Sequence, residues 1–184
     1  MADNLKILGI SGSLRKGSYN SGALRAAVEL CPDGAEIEVF DIAPIPPFNQ
    51  DEDQDPPAII REFKEKILAA DAIVFATPEY NYSIPGVLKN AIDWASRPYG
   101  QSAWEGKPAA IMGASIGGIA TARAQYDLRK MMVFLNMFPI NRPEVMIGNC
   151  SDRYDEQGKL IDEPTRAIIK EMLEKLIAWT KKIA

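Results

Sequence analysis

The stretch that decides the fold is residues 6–20, which reads KILGI SGSLRKGSYN. Residues 7–10 are apolar without alternation, a pattern typical of a strand that is buried on both faces of a sheet. A loop of small residues follows at once, and Leu24, Ala27 and Val28 then begin a helical pattern. This order predicts the opening strand and helix of an α/β domain.

The same alternation of apolar runs and helical patterns continues along the chain. Strands are predicted over residues 6–10, 36–41, 72–76, 109–114 and 144–147. Helices are predicted around residues 24–28, 59–68, 87–95 and 124–138, and from Pro164 onward. We therefore expect a doubly wound parallel sheet of five strands, in the order 2-1-3-4-5, with helices on both faces. Ligands bind such sheets beyond the carboxyl ends of strands 1 and 3.

Length and composition narrow the possible functions. The chain has 184 residues, which favours a single domain over residues 1–184. Its net charge is −4, so nucleic acids and anionic membranes are poor partners. Histidine is absent, which excludes histidine-based triads, and we predict no metal site. Cys31 and Cys150 are far apart in the sequence and form no CxxC motif. No apolar run reaches the roughly 20 residues that a membrane-spanning helix needs. A cytoplasmic protein with reduced thiols is expected.

The first loop carries the features of an anion site. It combines small hydroxyl and amide side chains with two glycines, Gly12 and Gly17, and two cations, Arg15 and Lys16. A helix N-terminus offers free N–H groups and a favourable dipole to an anion, and the glycines are expected to allow unusual backbone angles around a phosphate. The alternative is an ordinary turn with a helix cap at residue 18, 20 or 21.

Two familiar phosphate motifs do not fit this loop. Gly12 and Gly17 have the spacing of a Walker A loop, but Ser18 and Tyr19 replace its Lys-Ser/Thr pair. The dinucleotide fingerprint G-x-G-x-x-G is also missing after the first strand. The loop therefore favours a phosphomonoester carried by a ligand that also has a flat part.

The loop after the third strand offers a place for that flat part. Residues 77–86 read TPEYNYSIPG, where two prolines stiffen the backbone and Tyr80, Asn81 and Tyr82 offer stacking faces and hydrogen bonds. The alternative is that the tyrosines pack against neighbouring loops. Residues 115–120 form a third loop of small side chains that lets the backbone approach a ligand.

Residues 12–20 and 78–94, taken together, resemble the NADPH-dependent FMN reductases, in particular their bacterial quinone and chromate reductase subgroup. The resemblance runs from the first strand to the last helix and implies a flavodoxin-like fold. It also implies two groups of FMN-binding residues. The phosphate group comprises Ser13, Leu14, Arg15, Ser18, Tyr19 and Asn20. The ring group comprises Pro78, Glu79, Tyr80, Asn81, Tyr82 and Ser115.

The activity that this resemblance implies needs no catalytic side chain. Hydride is expected to pass from NADPH, or NADH, to FMN, and two electrons then pass to a quinone, chromate, an azo compound or free flavin. Candidates for the NADPH phosphate are Arg15, Lys16 and Arg97, although Arg97 is favoured as a cation at a helix C-terminus. The alternatives are a flavodoxin-type electron carrier and a flavin-free phosphate-binding module.

The apolar pattern of the fourth predicted helix indicates that the protein self-associates. Two apolar stripes run along it, so a neighbouring subunit is expected to cover one of them. The stripes are Leu128, Met131, Met132 and Leu135, and Val133, Phe134, Met137 and Phe138. Trp94, Tyr99 and Trp104 are expected to join that interface, and the resemblance implies a homodimer or homotetramer. Within it, Arg123, Tyr126 and Glu144 are candidates for a polar network between subunits.

Overall fold

The computed structural model describes residues 4–183 as strands and helices in alternation. The strands are β1 (Leu5–Ser11), β2 (Ala35–Phe40), β3 (Ala72–Ala76), β4 (Pro108–Ala114), β5 (Phe138–Pro139) and β6 (Val145–Ile147). The helices are α1 (Tyr19–Glu29), α2 (Ala58–Ala69), α3 (Gly86–Ala95), α4 (Ala122–Phe134) and α5 (Glu163–Ile183). Short 3-10 turns cover Gln50–Glu52 and Cys150–Asp152.

The sheet is parallel and has the predicted order, β2-β1-β3-β4-β5, which confirms the flavodoxin-like fold. The fifth position differs from the prediction because two segments share it. β5 pairs with the start of β4, at Pro108 and Ala109, and β6 pairs with its end. Pro143, which lies between these two segments, lacks the N–H that a continuous strand would need there.

The apolar runs of the sequence reflect burial on both faces of the sheet. Leu8 and Ile10 of β1 point into the core beneath α2, α3 and α4. Ile7 of the same strand points into the core beneath α1 and α5. Successive strand residues alternate between the two cores in this way, so neither face tolerates a polar position.

Helix α4 ends four residues earlier than predicted, at Phe134. Asn136 adopts a left-handed backbone with φ of 50°, and the Met137 N–H donates to the Met132 carbonyl over 3.0 Å. These are the marks of a Schellman end, in which asparagine takes the position usually held by glycine. The chain can then turn back toward the sheet, where Phe138 begins β5.

The two tryptophans expected at a subunit interface lie inside the chain, so that part of the prediction is wrong. Both indole rings are fully buried, and each finds a backbone acceptor. Trp94 Nε1 donates to the Pro46 carbonyl over 2.8 Å, and Trp104 Nε1 donates to that of Ile92 over 3.0 Å. Met137, placed in the second stripe of α4, is also buried.

None of the helices within residues 4–183 has both the length and the apolar character that crossing a membrane requires.

Candidate functional site

Three loops leave the carboxyl edge of the sheet side by side. The Gly12 N–H donates to the Ala76 carbonyl over 2.8 Å, which ties the first loop to the second. The Thr77 N–H donates to the Met112 carbonyl over 3.0 Å, which ties the second loop to β4. The predicted switch-point loops therefore form one surface.

The first loop ends in a capped helix N-terminus. Ser18 is the N-cap of α1, and its hydroxyl accepts from the Ser21 N–H over 3.2 Å. Within residues 4–183, the N–H groups of Tyr19 and Asn20 find no acceptor. The capped turn and the anion site are thus compatible, because the cap leaves two donors at the positive end of the helix dipole.

An aromatic shelf lies beneath the exposed Arg15. Its guanidinium lies over the Tyr19 ring at 5.6 Å, and Tyr19 in turn packs against Tyr154 at 4.9 Å between ring centroids. Tyr154 is buried, so this stack joins the loop to the interior. This contact attaches the cation to Tyr19, the first residue of α1.

The expected role of the two loop glycines is wrong. Neither Gly12 nor Gly17 has a positive φ angle. At Gly12 the constraint is space, because a Cβ atom would meet the Leu88 side chain at 3.1 Å and Pro78 at 3.4 Å. Gly17 lies in the open, with nothing within 4 Å of a Cβ atom. An anion at this loop is therefore expected to bind the N–H groups at the N-terminus of α1, and not a backbone conformation that only glycine adopts.

Asn20 uses both ends of its side-chain amide within the chain. Nδ2 donates to the Ala114 carbonyl over 2.9 Å, and the Ala114 N–H donates to Oδ1 over 2.8 Å. The side chain is buried. Asn20 therefore holds the start of α1 against the end of β4, and its backbone N–H faces the site.

The second loop is built around a tight turn from Tyr80 to Ser83. The Tyr80 N–H donates to the Ser83 carbonyl over 2.9 Å, and the reverse bond measures 3.0 Å. Asn81 and Tyr82 both have left-handed backbones, with φ of 51° and 69°. Asparagine tolerates this conformation, but it is strained for tyrosine. The side chains of Tyr80 and Tyr82 are 52% and 69% exposed, so they do not pack away against other loops.

Glu79, immediately before that turn, reaches the N-terminus of α4. Its Oε2 accepts from the Arg123 and Ala124 N–H groups over 3.0 and 3.2 Å. Its Oε1 pairs with the Arg123 guanidinium at 2.5 Å, and that guanidinium lies 3.8 Å over the Tyr82 ring. Thr121, the formal N-cap, makes no side-chain cap bond. Glu79 caps α4 in its place, and only its backbone remains for a ligand.

Two further contacts involve the outer face of α4. The Lys130 ammonium donates to Asp127 over 2.6 Å, and this hydrogen bond holds the pKa of Asp127 below its usual range. The Tyr126 hydroxyl donates to Glu144 over 2.8 Å, which raises the pKa of Tyr126. The polar residues expected between subunits thus already have partners within the chain. The capping role of the Glu79 side chain, by contrast, has no signal in the local sequence.

The third loop closes the floor of the site. The Ser115 hydroxyl accepts from the Gly117 N–H over 3.2 Å. A Cβ atom on Gly148 would lie 3.1 and 3.0 Å from the carbonyl oxygens of Gly117 and Gly118. Glycine at position 148 therefore allows the loop to lie flat on the segment after β6.

These loops enclose two adjoining clefts. One, of about 390 Å³, is lined by Arg15, Ser18 and Tyr19 on one side and by Pro78 and Tyr80 on the other. The second, of about 490 Å³, is lined by the turn, the third loop and Arg123. Both clefts include Glu79 and Ser115 in their lining, so they adjoin at these two residues. The predicted site residues that line them are Ser13, Arg15, Ser18, Tyr19, Asn20, Pro78, Glu79, Tyr80, Asn81, Tyr82 and Ser115. Leu14 is exposed beside them.

Arg97 directly follows the C-cap of α3 and forms an ion pair within the chain. Its guanidinium pairs with the buried Asp53 at 2.5 Å and stacks on the Tyr99 ring at 3.9 Å. Arg97 thereby fixes the loop after β2 to the end of α3. This engagement removes it from the candidates for a cofactor phosphate.

The comparisons with known proteins agree with this geometry. The model of the family described as NADPH-dependent FMN reductase matches residues 5–152. The chain belongs to that family. An NAD(P)H-dependent FMN reductase of Pseudomonas aeruginosa is 55% identical over 185 residues, covering 100% of this chain and 99% of the relative. A 2-hydroxy-1,4-benzoquinone reductase of a Burkholderia species is 44% identical over 177 residues, covering 96% and 97%.

A solved structure of the family shows the same fold. The flavoenzyme NAD(P)H:acceptor oxidoreductase FerB from Paracoccus denitrificans matches with a TM-score of 0.89 at 35% identity, covering 97% of this chain and 98% of that one. The predicted family, the enzyme class and the use of FMN with NAD(P)H are confirmed. The two candidate clefts fit FMN chemically, with N–H donors at one end and exposed aromatic rings at the other.

Proposed function

We propose that this chain is an NAD(P)H-dependent FMN enzyme that reduces small quinones and similar acceptors, with its cofactor spanning the two adjoining clefts between the three loops. The observation that carries this proposal is the joining of an anion-binding end and a ring-binding end through Glu79 and Ser115. The combined space is within the range of ligand pockets in proteins, about 300–1,000 Å³.

The first loop is the proposed phosphate end. Its donors are the Tyr19 and Asn20 N–H groups, the hydroxyls of Ser13 and Ser18, and the Arg15 guanidinium. Charge-assisted hydrogen bonds contribute roughly 1.5–3 kcal/mol each, so several are needed for a firmly held cofactor. Leu14 lies at the rim, where we assign it an apolar contact only.

The second and third loops are the proposed ring end. Pro78 and Glu79 lead into the turn, and the backbone of Asn81 and Tyr82 is presented by its left-handed conformation. Ser115 lies opposite. When bound, FMN accepts hydride from NAD(P)H and passes two electrons to the acceptor. The chain orients the ring and the incoming molecules, so we assign no catalytic side chain.

The acceptor is proposed to enter over the exposed side of the second cleft. Tyr82 and Ile119 line that cleft with most of their side chains exposed, and the equally exposed Ile116 lies at the adjoining edge of the first cleft. An apolar rim suits flat, weakly polar acceptors such as quinones, which agrees with the names of the relatives. Chromate, azo compounds and free flavin are further candidates. Arg15 and Lys16 are the proposed partners of the NADPH 2′-phosphate, and NADH is the second candidate reductant.

We further propose a homodimer or homotetramer in the cytoplasm. Val133 and Phe134, on the outer face of α4, are 82% and 79% exposed, and Tyr99 lies beside Phe134 in a cleft of about 250 Å³. Adjacent large apolar side chains at such exposure are typical of an interface. Cys31 and Cys150 are free thiols, which supports a reducing compartment.

Reconstitution with FMN tests the proposed function. The protein is titrated with FMN, and NADPH or NADH oxidation is followed with and without a benzoquinone. We expect saturable flavin binding and NAD(P)H oxidation that depends on the quinone. Failure to bind FMN would contradict the proposal. Bound flavin without NAD(P)H oxidation would favour an electron carrier instead.

A further inference from the structure

We infer that Glu79 is a positioning residue, which fixes the Tyr80–Ser83 turn in its ring-binding conformation before FMN arrives. The inference deepens the proposed function and rests on it, because it takes this turn as the seat of the flavin ring. It assigns the Glu79 carboxylate a role that is separate from any contact with the cofactor.

The turn needs such a support because its backbone is strained. Tyr82 has φ of 69°, and a bulky aromatic residue persists in this region only where its surroundings hold it there. The two hydrogen bonds between Tyr80 and Ser83 close the turn but do not fix its direction relative to the cleft. A separate anchor is required to aim it.

The Glu79 carboxylate provides that anchor. It is buried, it directly precedes the turn, and it accepts the Arg123 and Ala124 N–H groups at the start of α4. A carboxylate is favoured there by the positive end of the helix dipole. The same carboxylate pairs with the Arg123 guanidinium, which lies over the Tyr82 ring. Glu79 therefore fixes both the beginning of the turn and the side chain at its most strained residue.

The helix that carries this anchor is itself fixed to the sheet. Leu128 and Met132 of α4 are buried in the core beneath it. Loss of the Glu79 carboxylate is expected to leave the turn closed by its own bonds between Tyr80 and Ser83 but no longer attached to α4, so the turn would swing rather than unfold.

Asp162 offers a matched control. It accepts the Thr165 N–H at the start of α5 over 3.0 Å and pairs with Arg153 at 2.8 Å. Asp162 thus also combines a helix N-terminus with an arginine, but on α5 rather than beside the turn. Asp162→Asn should lower the overall stability as Glu79→Gln does, without moving the ring seat.

The experiment measures amide hydrogen exchange of residues 80–83 in FMN-free protein, together with the FMN dissociation constant. Glu79→Ala should raise both the exchange rate of residues 80–83 and the FMN dissociation constant by about tenfold, because a buried charge-assisted hydrogen bond is lost. Glu79→Gln keeps an acceptor for the backbone N–H groups but loses the charge, so a rise of about threefold is expected. Asp162→Asn should leave both at wild-type values.

The outcomes separate the positioning role of Glu79 from the proposed ring site at residues 80–83. Wild-type exchange and FMN affinity in both Glu79 variants would overturn the inference, and so would an equal effect of Asp162→Asn. If Glu79→Ala does not fold, the comparison of Glu79→Gln with Asp162→Asn decides. If FMN protects residues 80–83 in the wild type, the proposed ring site stands whatever Glu79 does. If FMN gives no such protection, the proposed ring site itself fails.

Discussion

Asn20 and Ala114 join the first and third loops through two hydrogen bonds that use both ends of one amide. Asn20 is the second residue of α1, and Ala114 is the last residue of β4. Their contact fixes the helix start that offers N–H groups to an anion relative to Ser115 on the ring side. The spacing between the two ends of the cleft is therefore built into the core of the protein.

Asn20→Ala should destabilise the fold and weaken FMN binding together. The substitution leaves the buried N–H and carbonyl of Ala114 without partners, at a cost of about 2–4 kcal/mol in the free energy of unfolding. Urea denaturation measures this change. Asn49→Ala, which removes an exposed amide that accepts from the Asp51 N–H, should cost about 1 kcal/mol or less. Wild-type stability in Asn20→Ala would contradict the assignment.

Arg15→Ala should weaken FMN binding by about tenfold to a hundredfold, because one charge-assisted hydrogen bond to the phosphate is lost. Riboflavin, which lacks the phosphate, provides the internal comparison, and its affinity should not change. Stability should also be unaffected, since Arg15 is exposed. Fluorescence titration with both flavins measures the difference. An equal loss of affinity for FMN and riboflavin would count against a phosphate contact.

The parts of the fold that the sequence predicts are those encoded by local pattern. The runs at residues 7–10 and 73–76 are apolar at every position, so their burial on both faces follows from side-chain alternation alone. The loops after them then lie at the carboxyl edge in any parallel sheet. This is why eleven of the twelve predicted site residues line the same pair of clefts, the exception being Leu14 at their rim.

The parts that the sequence does not predict depend on pairing between distant residues. Glu79 and Arg123 are 44 positions apart, and Asn20 and Ala114 are 94 apart, so no local spacing indicates either contact. The burial of Trp94 is likewise invisible in its helix, because its acceptor, the Pro46 carbonyl, comes from a separate loop. An indole ring is buried readily once its N–H has a partner.

Comparing Tyr82→Gly with Tyr82→Ala should separate the effect of backbone strain on stability from the effect of the tyrosine ring on turnover. Glycine adopts a left-handed backbone without cost, whereas alanine there keeps a strain of about 1–2 kcal/mol. Both substitutions remove the ring that packs under Arg123. We therefore expect Tyr82→Gly to be more stable than Tyr82→Ala by about 1 kcal/mol, with lowered turnover in both. Thermal unfolding and quinone-dependent NADPH oxidation measure the two effects. Equal stability of the two variants would show that the turn relaxes without Tyr82.

Phe134→Glu should lower the mass of the assembly in solution. A charge at the centre of the exposed apolar patch on α4 makes burial against another subunit unfavourable. Light scattering after gel filtration gives the mass directly. Leu68→Glu is the matched control, because Leu68 is also an exposed apolar residue on a helix, α2, but lies outside that patch. A monomeric wild-type protein in dilute solution would refute the proposed assembly.

Cys150 should make the fold less stable in alkali. Its thiol is fully buried and donates to the Ile147 carbonyl over 3.2 Å, and burial raises its pKa from 9.0 to about 11. The folded protein therefore keeps a proton that the unfolded chain releases, so the free energy of unfolding falls as the pH rises from 9.0 to about 11. Burial also raises the pKa of Tyr154, which adds to the loss at the upper end of this range. Urea unfolding across this range should show a shallower decline in Cys150→Ala than in the wild type, and parallel declines would assign the effect to other groups. At neutral pH, a thiol reagent should reach Cys150 only after unfolding, because the reactive thiolate is absent from the native state.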